Sequence, residues 1–443
     1  MLIFVFMELI LVVIYIGLLL VLIGKWQFFK SKWISTKLIR ILFILKFTVG
    51  LFVFWIYNSY YANSQYNRQD ADVFKYFDDS AVLHNSLSKN PIDFTKIILG
   101  LDSDKDYFNN NYYINMNHWD SHYNSHIFND ARLIIRINAI IRIFSFGYYT
   151  IHILFFCFFS FVGLFALFKG TVDYVKKNEK LFFLCISLTP SILFWSSGVL
   201  KEPLMIYAVG FIFYHLEEIK KKKNLPFSLI HLLFCSAILF FLKFYVFCIL
   251  IMLILPFIYN HISAFRFKIV PYLVSILLFT VMSFGLKGVN PKFDILTLIE
   301  QKQESFISES KYKNAGSYFE INKLDATHLS VAKAIPFGII NAFTRPFLWD
   351  IKKNNQIPSA VENIIFICLI IFSFFNVFKS PSVLKKNTNF LLFSFLFVLI
   401  NYALIGIITP VSGALVRYKI IALPFLIAIL LKTSAFKTFK ILK

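Results

Sequence analysis

Long apolar runs alternate with short polar segments along almost the whole chain. Most runs approach the roughly 20 residues that a helix needs to cross the hydrocarbon core of a bilayer. The pattern therefore predicts an all-α, polytopic membrane protein with about eleven transmembrane helices in a single integral membrane domain, residues 1–443. The predicted spans are residues 2–23, 41–60, 148–168, 181–188, 204–214, 226–241, 244–259, 269–286, 357–378, 390–408 and 419–431.

The charges between the apolar runs predict the sidedness of the chain. The short loops carry lysine and arginine, which favours the cytoplasmic side. Two long polar segments, residues 61–147 and 287–356, then fall on the other side, and the first of them is rich in aspartate. The prediction is an N-terminus outside, a cytoplasmic C-terminus and two large extracytoplasmic segments. Residues 226–259 either cross the bilayer twice or form one re-entrant hairpin, and both alternatives preserve this sidedness.

Two local patterns place basic residues near the membrane surface. Lys46 lies close to the cytoplasmic end of the second predicted span, from where a long side chain can reach the headgroups. Residues 131–144 carry Arg132, Arg136 and Arg142 among aliphatic residues. That spacing predicts a helix that lies in the membrane interface with one apolar face.

The composition agrees with a membrane protein and argues against nucleic acid as a partner. The chain is 58% hydrophobic, with a mean hydropathy of +0.68. Its formal net charge is +21, but the basic residues lie in short loops between apolar runs instead of forming one basic stripe. All five cysteines lie within apolar runs, which predicts that they are packing residues.

The first candidate site lies between the fourth and fifth predicted spans, which read as a helical hairpin in the membrane. Its tip contains hydroxyl residues and a glycine, followed by Lys201 and Glu202. Charges at this depth are selected against unless they are paired or used. Two interpretations stay open: an ordinary turn with an interfacial Lys201–Glu202 pair, or a polar cavity in which both residues bind an anionic substrate.

The second candidate site is the start of the acidic segment, where Asp70 and Asp72 follow the second predicted span. A carboxylate at the membrane surface can accept a proton from an attacking hydroxyl, which makes both residues candidate catalytic bases. It can also hold a divalent cation that binds phosphates. The alternative is a solvated acidic loop without a catalytic role.

The third candidate site consists of Arg345, Asp350 and Arg417, close to the outer ends of predicted spans. The planar fork of an arginine suits phosphate oxygens, so these residues are candidates for binding a phosphate-bearing substrate. Arg345 and Asp350 lie in a motif with several aromatic residues. The alternative is that the arginines contact lipid headgroups.

The sequence predicts no resident cofactor or metal, and leaves only a divalent cation open. His118, His122 and His126 are spaced for one face of a helix, as in a zinc site. The polar residues between them form a poor helix, and no general-base glutamate lies among them. The chain also lacks a phosphate-binding loop, a dinucleotide fingerprint and a nucleophile elbow.

Several short motifs together resemble multispan proteins of bacterial envelope-polysaccharide assembly. These are the polyprenyl-phosphate-dependent glycosyltransferases and the repeat-unit polymerases. The motifs are Asp70-Ala71-Asp72, residues 190–202, residues 344–350 with Glu362-Asn363, and Arg417-Tyr418 with Leu423-Pro424-Phe425.

The resemblance implies a glycosyl transfer or polymerisation at the extracytoplasmic face of the bacterial cytoplasmic (inner) membrane. A sugar leaves a polyprenyl phosphate and joins an acceptor hydroxyl. Asp70 or Asp72 then corresponds to the base, while Lys201, Arg345 and Arg417 hold phosphate. The implied partners are a lipid-linked sugar, membrane lipids and other polysaccharide-assembly proteins. Two alternatives stay open: a flippase or transporter of lipid-linked glycans, and a non-enzymatic component of an envelope complex.

Overall fold

The part of the chain that the structure describes is mostly helical. The computed structural model describes residues 2–434, except 63–70, 102–104, 120–129, 264, 290–293, 352–353 and 386. Within these residues, extended pairing is limited to one antiparallel bridge between Tyr318 and Val411. The predicted all-α class is therefore confirmed.

The helices form two compact units. The first unit comprises residues 1–171 and 193–244, and the second comprises residues 172–192 and 245–443. The helices of the first unit are α1 (Leu2–Lys25), α2 (Thr36–Ala62), α3 (Asp72–Lys89), α4 (Pro91–Leu99), α5 (Asp106–Asn111), α6 (Ala131–Ser145), α7 (Tyr149–Thr171), α10 (Lys201–Lys220) and α11 (Leu225–Leu242).

The second unit contains α8 (Glu179–Leu188) and the helices that follow the first unit in the chain. These are α12 (Phe244–Ile262), α13 (Val270–Val289), α14 (Ile295–Tyr312), α15 (His328–Thr344), α16 (Ile357–Lys379), α17 (Ser382–Lys385), α18 (Thr388–Ile408), α19 (Ser412–Lys419) and α20 (Leu423–Thr433). The short helix α9 (Pro190–Trp195) contains the boundary at residues 192 and 193.

Several helices are long and apolar enough to cross a bilayer, which indicates a multi-pass membrane protein. Among the described residues there are seven, or eight if the bent pair α19 and α20 is one span. The seven are Phe6–Lys25, Thr36–Ser59, Tyr149–Tyr174, Leu225–Leu242, Phe244–Ile262, Ile357–Lys379 and Thr388–Ile408. The predicted count of eleven is not confirmed.

Length and charge explain why some of the eleven predicted spans are not among the helices that are long and apolar enough to cross a bilayer. Helix α8 has 10 residues, which at about 1.5 Å per residue covers only half of a bilayer core of about 30 Å. Helix α10 has 20 residues, but charged side chains lie at both of its ends. In α13, Val270–Ser283 forms an apolar helix among the described residues that is shorter than a full span. The two arms of the predicted hairpin, α8 and α10, belong to different units.

The core of the first unit is built on helix α7. Most of its side chains are buried around the whole circumference, as expected for a helix that is apolar on every side. It packs against α10 where two glycines, Gly163 and Gly210, face each other. A Cβ atom at Gly163 would meet the backbone of Tyr207, and one at Gly210 would meet the carbonyl of Gly163. The absence of side chains thus brings the two backbones into contact.

The described part of the aspartate-rich segment folds into helices, among which α6 covers the predicted amphipathic stretch. Its arginines contact protein groups. The Arg142 Nη2 donates to the carbonyl of Phe77 at 2.7 Å, and the Arg136 Nε donates to the carbonyl of Ile97 at 2.8 Å. The guanidinium of Arg132 lies 5.3 Å from the centre of the Trp119 ring. The arginines thus contact carbonyls and an aromatic face of the protein, and the interfacial position of the helix stays a prediction.

The second unit repeats the close glycine crossing in a different helix pair. Helix α15 packs against α18 where Gly338 meets Gly406, and a Cβ atom on either glycine would overlap the other helix. Helix α19 ends at Lys419, and α20 begins at Leu423 with a bend of 66° between them. Pro424 lies in the first turn of α20, where a missing N–H is tolerated, but it cannot continue the preceding helix.

Candidate functional site

A cluster of three charged side chains lies in the first unit. Lys201, the first residue of α10, places its Nζ 2.7 Å from the Oδ1 of Asp130. Lys243, just after α11, places its Nζ 2.9 Å from the Oδ2 of the same carboxylate. The Lys201 ammonium also lies 4.9 Å from the centre of the Tyr76 ring. We call Asp130, Lys201 and Lys243 the lysine–aspartate cluster.

Two ammonium groups and one carboxylate leave this cluster with a surplus of one positive charge. The lysine side chains are 7% and 13% exposed, and the carboxylate is 33% exposed, so solvent reaches the cluster at Asp130. Burial would raise the pKa of the Asp130 carboxyl, but the ammonium groups of Lys201 and Lys243 hold it well below its ordinary value. The carboxylate is therefore ionised and is a poor proton acceptor, while the surplus charge suits a further anion.

Asp72 is the predicted base that the structure describes, and it lies near this cluster. Its negative charge acts on the Lys201 ammonium. Its own ion pair is with Lys75, with 2.6 Å between Oδ1 and Nζ, and its side chain is 32% exposed. Asp70, the other predicted base, lies outside the described residues.

One of the two interpretations of the hairpin tip, an ion pair between Lys201 and Glu202, is wrong. Lys201 pairs with Asp130, whereas Glu202 is buried in the first turn of α10. Neighbouring residues of a helix point about 100° apart, so their side chains do not face each other. A carboxylate in the first turn is also stabilised by the helix dipole.

Lys46 does not reach toward the headgroups as the sequence predicted. Its side chain is 2% exposed, and its Nζ donates to the Ser196 Oγ at 2.5 Å. Ser196 lies in the turn before α10, and the Oγ of Ser160 donates to the Ser196 carbonyl at 2.7 Å. The Lys46 side chain is buried because Lys46 lies on the side of α2 that packs against α7. There the Cys157 thiol donates to the carbonyl of Lys46 at 3.7 Å.

We expect Lys46→Met to leave the protein as stable as before, because an apolar side chain of similar length removes a buried amine and its desolvation cost. Ser196→Ala should instead lower the free energy of unfolding by about 1–3 kcal/mol, because Lys46 loses the one hydrogen-bond partner that it has among the described residues. Thermal unfolding in detergent measures both. A Lys46→Met protein that fails to fold would contradict this account.

The second unit brings two of the predicted substrate-binding residues, Arg345 and Asp350, together. The Arg345 Nη1 lies 2.5 Å from the Asp350 Oδ2, and the Arg345 Nε donates to the Asn341 Oδ1 at 3.0 Å. The guanidinium also lies 4.1 Å from the centre of the Phe319 ring. Arg417 belongs to α19 of the same unit and is half-buried. Asp350 is thus the partner of Arg345, and a joint clamp of Arg345 and Arg417 stays a prediction.

Buried polar residues connect helix α16 to the bend between α19 and α20. The Lys419 Nζ donates to the Asn363 Oδ1 at 2.8 Å, and the Asn363 Nδ2 donates to the Arg345 carbonyl at 2.7 Å. Beside Asn363, the carboxylate of Glu362 accepts from the N–H and the hydroxyl of Ser191, at 2.7 and 2.5 Å. Glu362 and Lys419 are near enough to interact electrostatically. A broken helix therefore carries a buried ammonium at its bend.

The predicted histidine face cannot be assembled from the described residues. His118 is not helical, and its backbone N–H donates to the Asp79 carboxylate at 2.8 Å. His122 and His126 lie outside the described residues. The described part of the chain contains no group of three or more metal-ligating side chains in suitable positions. That the protein has no resident metal stays a prediction.

The sequence did not predict several members of the lysine–aspartate cluster, or of the buried polar group that connects α16 to the bend between α19 and α20. Asp130 and Lys243 stand more than a hundred residues apart and carry no motif of their own. Lys419 begins a predicted span, and Ser191 lies in the tip of the predicted hairpin. The feature of the sequence that could have indicated these residues is their charge. A lysine or aspartate at the end of an apolar run is rarely buried without a partner, so such residues can be expected to pair with each other.

Known proteins give no further identification of these sites. Comparisons of the chain with family models, with curated proteins and with solved structures found no match.

Proposed function

We propose that the protein transfers or polymerises sugars from a polyprenyl-phosphate-linked donor at the extracytoplasmic face of a bacterial cytoplasmic membrane. The orientation with the N-terminus outside and with residues 61–147 and 287–356 on the outer side belongs to this proposal. So does the path of about eleven crossings, in which shorter helices complete the spans.

The observation that carries the proposal is the lysine–aspartate cluster with its surplus positive charge. When a glycosyl bond to a diphosphate breaks, negative charge develops on the leaving phosphate oxygens. Ammonium groups that are already fixed on largely buried side chains stabilise that charge at little further cost of reorganisation. We assign phosphate binding to Lys201 and Lys243, and the ordering of both ammonium groups to Asp130.

The carboxylate of Asp72 is the proposed base of the reaction. It lies near Lys201, it is partly exposed, and its ion pair with Lys75 is of the weak, local kind. The acceptor hydroxyl gives its proton to the Asp72 carboxylate as the hydroxyl oxygen bonds to the anomeric carbon, and the bond to the phosphate oxygen breaks. Asp70 is the alternative base.

We expect Lys201→Gln to reduce the transfer of sugar about 100-fold or more, the usual cost of removing one stabilising group from a reaction centre. The measurement is release of polyprenyl diphosphate by purified protein in proteoliposomes supplied with a polyprenyl-diphosphate-linked sugar and a soluble glycoside acceptor. Lys169→Gln is the matched control, because it removes the same charge from a half-buried lysine that donates to the Phe28 carbonyl away from the cluster. Equal activity of the two variants, or a wild-type protein without donor turnover, would refute the proposal.

A second candidate function is transport of the same lipid-linked glycans. The specific observation that favours it is the bent pair of α19 and α20, with the buried Lys419 at the bend, because transporters bind substrates at broken helices. The same proteoliposomes separate the two functions. A transporter moves a fluorescent lipid-linked sugar across the bilayer and leaves it chemically unchanged, whereas a transferase releases the lipid diphosphate.

A further inference from the structure

A row of stacked planar groups in the second unit ends in an exposed indole ring. The guanidinium of Arg345 lies 4.1 Å from the centre of the Phe319 ring and 5.3 Å from that of Phe347. The Phe347 ring stacks in turn on Trp349, with ring centres 4.6 Å apart and planes 11° from parallel. Trp349 is nevertheless 80% exposed, so one face of its ring packs on Phe347 and the other is open.

The turn that carries this ring is fixed from several sides. The ion pair of Arg345 with Asp350 closes the turn, and the Asp350 N–H donates to the Phe347 carbonyl at 3.1 Å. The Asn363 side chain donates to the Arg345 carbonyl at 2.7 Å and so ties the turn to α16. A large aromatic surface is thus held exposed before any ligand arrives, which lowers the entropic cost of binding.

We propose that this turn, residues 345–350, is a sugar-binding platform. The inference rests on the proposed function for the choice of a sugar as ligand, and it names the surface that contacts the sugar. The C–H groups on one face of a pyranose carry partial positive charge and pack on the negative face of an aromatic ring. In the same turn, the Arg345–Asp350 pair has further carboxylate and guanidinium atoms that can accept hydrogen bonds from hydroxyl groups and donate them.

The neutral ion pair in this turn favours a sugar over the membrane surface as its occupant. An indole ring anchored at the headgroups needs no ion pair in the same turn, and because Arg345 neutralises the Asp350 carboxylate, the pair has no net charge with which to attract anionic lipids. A sugar, in contrast, offers hydroxyl groups to a carboxylate and a guanidinium at once. The neighbouring Leu348, which is 51% exposed, provides the comparison, because an aliphatic side chain can insert into a membrane but has no ring to stack on a sugar.

Saturation-transfer NMR on the detergent-purified full chain tests the platform. The probes are the methyl glycosides of glucose, galactose, N-acetylglucosamine and rhamnose. We expect transfer to the ring protons of at least one glycoside, a loss of at least fivefold in Trp349→Ala, and retention of most of the signal in Trp349→Phe. Leu348→Ala is the matched control and should leave the signal unchanged. Absence of transfer in the wild-type protein, or equal transfer in Trp349→Ala, would overturn the proposal.

A second measurement tests the membrane as the occupant. In nanodiscs with brominated lipids, the fluorescence difference between the wild-type protein and Trp349→Phe reports whether Trp349 contacts acyl chains. We expect no quenching of this difference, and strong quenching would overturn the platform. Lys201→Gln should retain glycoside binding, since Lys201 is not part of the turn of residues 345–350. Loss of sugar transfer with intact binding, or the reverse, therefore distinguishes failure of the proposed function from failure of the platform.

Discussion

Gly210→Ala should lower the stability of the protein by more than a single added methyl group usually does. The added Cβ atom would overlap the carbonyl of Gly163, which is backbone and cannot rotate away. Helices α7 and α10 would have to separate along a crossing where both helices are largely buried. Overpacking usually costs about 1–3 kcal/mol, and we expect the upper end of that range or more because no flexible side chain can yield.

The matched control is Gly17→Ala, at a glycine of α1 where an added methyl group would have nothing within 4 Å. There the same change should be neutral or stabilising by up to about 1 kcal/mol, since alanine is the better helix former. Thermal unfolding of both variants in the same detergent gives the comparison. Similar melting temperatures for the two variants would mean that the helices are not in backbone contact at Gly210.

Asp130→Ala is expected to give the second large loss, because it leaves two buried ammonium groups beside each other. Breaking a buried ion pair costs about 3–5 kcal/mol, and we expect about 2–4 kcal/mol because the carboxylate is a third exposed. Adding Lys243→Met should recover part of this loss by removing one of the stranded cations. Asp72→Ala is the control: its exposed pair with Lys75 should be worth at most about 1 kcal/mol.

The pH dependence of this effect has a definite sign. The pKa of the Asp130 carboxyl is held below its ordinary value of 3.8 by the two ammonium groups, against the opposing effect of burial. A depressed pKa in the folded state adds stability that is fully present above the unfolded value and is lost as the pH falls below it. The difference in melting temperature between wild-type and Asp130→Ala should therefore be constant at neutral pH and shrink below about pH 4. A difference that grows on acidification would contradict the assignment.

Contacts in the candidate sites were predictable from the sequence only where the two residues lie close together in the chain. Arg345 and Asp350 lie five residues apart, so a single turn brings them together, and both were predicted from their motif. Lys201 was predicted as a site residue because a lysine at the start of a buried helix stands out in an apolar context. Its partner was not predictable, because Asp130 is joined to it only through the packing of α6, α10 and α11.

The amino-acid sequence by itself determined the helical class and the membrane character, because apolar runs of this length have few other ways of satisfying their backbone in a low-dielectric medium. It also gave the positions of the basic loops and of the aspartate-rich segment along the chain. The tertiary structure decided which charges meet: Lys46 turns toward Ser196, Asp130 takes two lysines, and Lys419 reaches Asn363. Those pairings depend on which helix faces pack together, and that choice is made by glycine contacts and side-chain shapes between segments far apart in the chain.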